Sequence, residues 1–126
     1  MATPVTIYIK NSSYYGSLLA KDNGVSLFFS NENGRYYIVA NPSGVKISLS
    51  GEVGYNLNIE KGGCSTFSLC YGETHAYPAS LNLHAYAYSF DGERGYIAVS
   101  YSIEDDGYED MDETGQIFEI SFSCIR

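Results

Sequence analysis

The strongest constraint on this chain is a period-two alternation of apolar and polar residues, broken at intervals by Gly and Asn. Successive side chains of a strand point to opposite faces, so such alternation marks a strand with one buried face. A helix would need a repeat near 3.6 residues instead. Val5, Ile7 and Ile9 alternate with Thr6, Tyr8 and Lys10. Val45, Ile47 and Leu49 alternate with Lys46, Ser48 and Ser50. Val53, Tyr55, Leu57 and Ile59 then follow against Gly54, Asn56, Asn58 and Glu60. Between such runs lie Asp22-Asn23-Gly24, Asn31-Glu32-Asn33-Gly34, Asn41-Pro42-Ser43-Gly44, Lys61-Gly62-Gly63 and Asp91-Gly92-Glu93-Arg94-Gly95. These read as turns, because Asn and Gly tolerate positive φ.

Counting the runs gives about eight to ten strands, and connections this short join antiparallel neighbours. The expected architecture is an antiparallel β-sandwich or jelly roll, one domain spanning residues 1–126. Helix is expected to be minor, at most a turn or two near 72–80 or 108–114. In the run Leu81 to Phe90, Leu81, Leu83, Ala85 and Ala87 fall on one face. Asn82, His84, Tyr86, Tyr88 and Phe90 fall on the other, a mixture of rings and hydrogen-bonding groups that suits a ligand.

Formal charge is −8, and it is unevenly placed. Over residues 1–90 five acids (Asp22, Glu32, Glu52, Glu60, Glu73) cancel five bases (Lys10, Lys21, Arg35, Lys46, Lys61). The excess lies in 91–126, where seven acids fall between Glu104 and Glu113. Nucleic acid is a poor partner for such a surface, since phosphates demand Lys and Arg, and an anionic membrane is disfavoured likewise. A divalent cation is not. Carboxylates packed this densely repel one another unless water screens them or a cation sits among them. Ca²⁺ accepts six to eight oxygens in flexible geometry. Asp105, Asp106, Asp110, Asp112 and Glu113 are therefore the candidate metal ligands, with the carbonyl of Tyr108 behind them.

No apolar run reaches the roughly 18 residues that span a bilayer, and no basic-then-apolar leader opens the chain. The expectation is synthesis in the cytosol, with any release by a route that uses no signal peptide. Three cysteines, Cys64, Cys70 and Cys124, leave at least one thiol unpaired within the chain and read as reduced core fillers. No Ser elbow, phosphate-cradling Gly loop or zinc spacing appears, so the chain reads as a binding protein rather than an enzyme.

Two resemblances bear on what it binds. The stretch Gly95-Tyr96-Ile97-Ala98-Val99-Ser100-Tyr101, the acidic segment, and Thr114-Gly115-Gln116-Ile117-Phe118-Glu119-Ile120 resemble the end of small calcium-dependent galactose-binding bacterial lectins. That likeness covers the last third of the chain and implies a sugar held directly by calcium. The opening Val5-Thr6-Ile7-Tyr8-Ile9-Lys10-Asn11-Ser12-Ser13 is similar to that of the aegerolysins, which bind membrane lipids or act beside pore-forming toxins. Aegerolysins usually carry Trp in the binding region, and this chain has none. The leading expectation is a lectin-like binder of a glycan or glycoconjugate, with Ca²⁺ in the 104–114 segment and ligand contacts from Asn82, His84, Tyr86, Tyr88 and Tyr36. Tyr14, Tyr15 and Tyr37 are further platform candidates. The alternatives are an aegerolysin-like insecticidal toxin component or lipid binder, and a self-assembling structural protein that forms a homo-oligomer through its Tyr-rich faces.

Overall fold

The computed structural model describes residues 2–21, 23–63, 65–71, 75–104 and 116–125. Ten strands form among these described residues: β1 (Thr3–Ile9), β2 (Ser12–Lys21), β3 (Gly24–Asn31), β4 (Gly34–Asn41), β5 (Gly44–Ser50), β6 (Val53–Glu60), β7 (Ser65–Tyr71), β8 (His75–Phe90), β9 (Arg94–Glu104) and β10 (Gln116–Cys124). Each pairs antiparallel with its neighbour in sequence, and β1 also pairs with β10, with Val5 opposite Cys124 and Tyr8 opposite Ser121. The sheet therefore closes into a ten-stranded barrel.

All-β, antiparallel and short-looped are as expected, but the sandwich or jelly roll is corrected to a barrel. Both architectures bury one face of every strand, so both demand the same alternation. They differ in whether the first and last strands meet, which local pattern does not encode. The helix expected near 72–80 is overturned at 75–80, which belongs to β8. Residues 72–74 and 108–114 lie outside the described residues.

Turn chemistry sets the hairpins. The Asn31 side-chain oxygen accepts from the Asn33 N–H at 2.8 Å, and Asp91 likewise holds the amides of Glu93 and Arg94 at 2.9 and 2.8 Å. Gly34 sits at φ +137°, and a Cβ there would collide with the Ser50 carbonyl oxygen, so only glycine serves. Lys10 takes positive φ, at 54°, to turn β1 into β2.

The lumen is filled by apolar side chains. Val5, Ile7, Leu27, Ile38, Ile47, Ile97 and Ile120 are fully buried there. Each such residue contributes about 1.5–3 kcal/mol relative to exposure. Ten strands enclose more space than eight, and aromatic rings occupy the surplus. Phe29 stacks on Tyr36 with ring centroids 4.7 Å apart, Tyr14 on Phe29 at 5.9 Å, and Tyr55 on Phe67 at 6.0 Å. Phe90 meets Phe122 at 5.8 Å, and Gly95 lies so close beneath the Phe122 ring that a Cβ would overlap it.

Burial raises the phenol pKa values of Tyr55, Tyr86, Tyr88 and Tyr101. At Tyr55 the hydrogen-bonded neighbour Tyr36 and nearby Tyr101 add to the effect. Burial and adjacent Tyr88 push Tyr86 up to about 12. In the unfolded chain these phenols ionise near the ordinary value of about 10. Below that pH both states hold the proton and the stabilisation is complete. As pH climbs towards 12 the unfolded chain alone releases protons, so stability falls. An alkaline titration should therefore show part of the phenolate absorbance arriving together with loss of the β-sheet circular dichroism. Complete ionisation with the sheet intact would contradict the buried assignment.

Candidate functional site

The face expected on β8 does not exist as one face. Leu83 pairs with Tyr101, yet Ala85 pairs with Ser100, so His84 is an extra residue in a β-bulge. One inserted residue reverses which side chains point inward beyond it. Before the bulge Leu81 and Leu83 face the lumen. After it Tyr86, Tyr88 and Phe90 do, and Ala85 and Ala87 are exposed. Asn82 and His84 are exposed on the outer surface, so the expected site is split across the barrel wall.

The separated residues have other work. The Tyr86 hydroxyl reaches the carbonyl oxygens of Asn41 and Gly44, at 2.6 and 2.9 Å. Its ring thus ties β8 to the β4–β5 turn, which Asn41 also caps by accepting from the amides of Ser43 and Gly44. Tyr36 turns inward and stacks on Phe29 with the rings 5° from parallel. His84 Nε2 lies 3.0 Å from Ser102 Oγ on the exposed face. Nucleophilic catalysis needs more than such a contact: a third group to orient the base, and donors for the developing oxyanion.

The metal candidates Asp105, Asp106, Asp110, Asp112 and Glu113 lie outside the described residues. Among the described residues no group of three or more His, Cys, Asp or Glu is placed to hold a metal ion. Cys124 is a free thiol, half-buried at the end of β10.

The structure does bring together a different set of rings, on the outer surface of β2–β5. Phe28 stands directly opposite Tyr37, and their rings stack 4.5 Å apart. Tyr15 stands nearby at 83% exposure, and Phe28 and Tyr37 remain 45% and 39% exposed. Their outward direction follows from strand parity, because Val25, Leu27 and Phe29 face in, as do Ile38 and Ala40. A shallow groove of about 530 Å³ runs among them, bordered by Ser17, Ser30, Ser50 and Arg35. Phe29 and Tyr36 border it from the wall, with their rings turned inward. Of this set Tyr15 and Tyr37 were candidates from sequence; Phe28 was not. The signal for it was present, since an aromatic residue between Ser26 and Ser30 occupies the polar phase of its strand.

No family model matches the chain, and no curated protein does. Among solved structures, the ywiB protein from Bacillus subtilis is similar in fold, with a TM-score of 0.71 at 15% identity. The match covers 99% of this chain and 94% of that one. At this identity the likeness speaks for the barrel alone.

The split of the β8 residues makes a stability prediction. Tyr86→Phe removes a half-buried hydroxyl whose proton is shared between two carbonyls and should lower unfolding free energy by about 1 kcal/mol. His84→Ala, at an exposed position, should stay within about 0.5 kcal/mol of wild type. Urea unfolding of both variants checks the ranking; the reverse order would mean that the rings after the bulge do not point inward.

Proposed function

We propose that this protein is a non-catalytic, lectin-like carbohydrate binder, and that the sugar docks on the outer aromatic face of β2–β5. One observation carries the reading: the stacked, exposed pair Phe28 and Tyr37, with Tyr15 beside it, frames a groove edged by serine hydroxyls. A pyranose has an apolar face of C–H groups and a rim of hydroxyls. It therefore needs an aromatic surface to cover the first and short hydrogen-bonding side chains to meet the second. Ser17, Ser30 and Ser50 supply donors and acceptors without hiding the rings. The rings are carried on paired strands of a closed sheet, an arrangement that favours a preformed platform.

Of the described residues bordering this groove none is a carboxylate. Sugar binding here should accordingly survive a chelator. A strict calcium requirement would instead move the site to the 104–114 segment, where the acidic side chains are concentrated.

A glycan array with and without chelator, repeated with Tyr15→Ala and Tyr37→Ala, tests this. Each ring removed should weaken binding about tenfold, equivalent to roughly 1.4 kcal/mol, in variants that keep the β-sheet circular dichroism of the parent. Glycan binding indifferent to both substitutions, or binding to neutral lipid vesicles that no sugar competes away, counts against the proposal.

A further inference from the structure

Among the described residues bordering the aromatic groove, Arg35 is the one that carries a charge. Its cross-strand neighbours are Ser30 on β3 and Ser50 on β5, so no acid stands opposite it on either side. Among the described residues it makes no ion pair and no side-chain hydrogen bond. An exposed arginine on a chain of net charge −8 has many carboxylates available in principle, and here it engages none of the described ones. None of its five donors is engaged by a described residue, and they lie beside the rings.

Arg35 and Tyr37 occupy consecutive outward positions of β4, two residues and about 7 Å apart along the strand. Phe28 extends the ring surface from the neighbouring strand. A sugar lying over Tyr37 and Phe28 thus has a planar, fork-shaped cation at one edge. Guanidinium meets carboxylate through two parallel hydrogen bonds, a match that a neutral hydroxyl does not offer.

Resting on the carbohydrate reading above, we infer that the preferred ligand is an acidic sugar of the uronic type, its ring on Phe28 and Tyr37 and its carboxylate on Arg35. Overall negative charge opposes the approach of an anion, but only at long range. At physiological ionic strength that repulsion is largely screened beyond about 8 Å, whereas the Arg35 contact acts at hydrogen-bond distance. The consequence is specificity: neutral sugars share the platform, and acidic ones gain the extra pair of bonds.

Titration calorimetry with matched probes tests this: methyl glucoside against methyl glucuronide, methyl galactoside against methyl galacturonide, and glucose 6-sulfate. In at least one pair the uronide should bind tenfold or more tighter than its neutral partner and more tightly than the sulfate. Arg35→Gln should erase that preference while leaving neutral-sugar affinity within twofold, and Arg35→Lys should restore only part of it. Equal affinity for neutral and acidic partners, preference for the sulfate, or a uronide preference that survives in Arg35→Gln would overturn the inference and leave the platform standing. Tyr37→Ala separates the two ideas, because it should weaken neutral and acidic sugars alike. Absence of binding by every probe removes both.

Discussion

The pairing of β1 with β10 is the contact on which everything else in this molecule depends. Without it the ten strands are an open meander with two exposed edges, each a row of unpaired backbone groups. With it the sheet has no edge, and every strand acquires an inside and an outside that cannot be exchanged without moving its whole apolar set. It joins residues as far apart in sequence as Val5 and Cys124, so its register is the most non-local in the fold. Ile7 opposite Phe122, both buried, shows what holds it: the ladder hydrogen bonds are backed by apolar packing on the lumen side.

Closure sorts the tyrosines whose side chains are described into two populations. Tyr36, Tyr55, Tyr86, Tyr88 and Tyr101 pack against the core, where they fill a lumen too wide for aliphatic side chains alone. Tyr86 also fastens one end of the barrel through its hydroxyl. Tyr15 and Tyr37 stand outside and, with Phe28, are free to meet a partner. A Tyr-rich composition is thus two features at once, a packing solution and a surface. The barrel wall separates them.

Much of this was legible in the chain. Alternation located the strands, and Asn31, Asn41 and Asp91 marked turns that their side chains do cap. Closure was not legible, because a strand in a sandwich and a strand in a barrel present the same half-apolar pattern. The orientation of β8 was misread for a sharper reason. The bulge at His84 inserts one residue without any glycine or proline to announce it, so strict alternation carried past that point assigns Tyr86 and Tyr88 to the wrong side. Phe28 shows the opposite case: extending the correct phase of β3 places it outward. Function is read from such local sites rather than from the barrel, since one architecture serves many chemistries.

The direct test of the central claim is which rings a ligand can reach. Photochemically induced nuclear polarisation with a flavin dye reports tyrosines that solvent molecules touch. The expected spectrum shows Tyr15 and Tyr37 polarised, Tyr86 silent, and the first two suppressed when a saturating sugar is added. Polarisation of Tyr86, or a bound sugar that leaves Tyr15 and Tyr37 unchanged, would contradict the division of the barrel into a structural inside and the proposed binding outside.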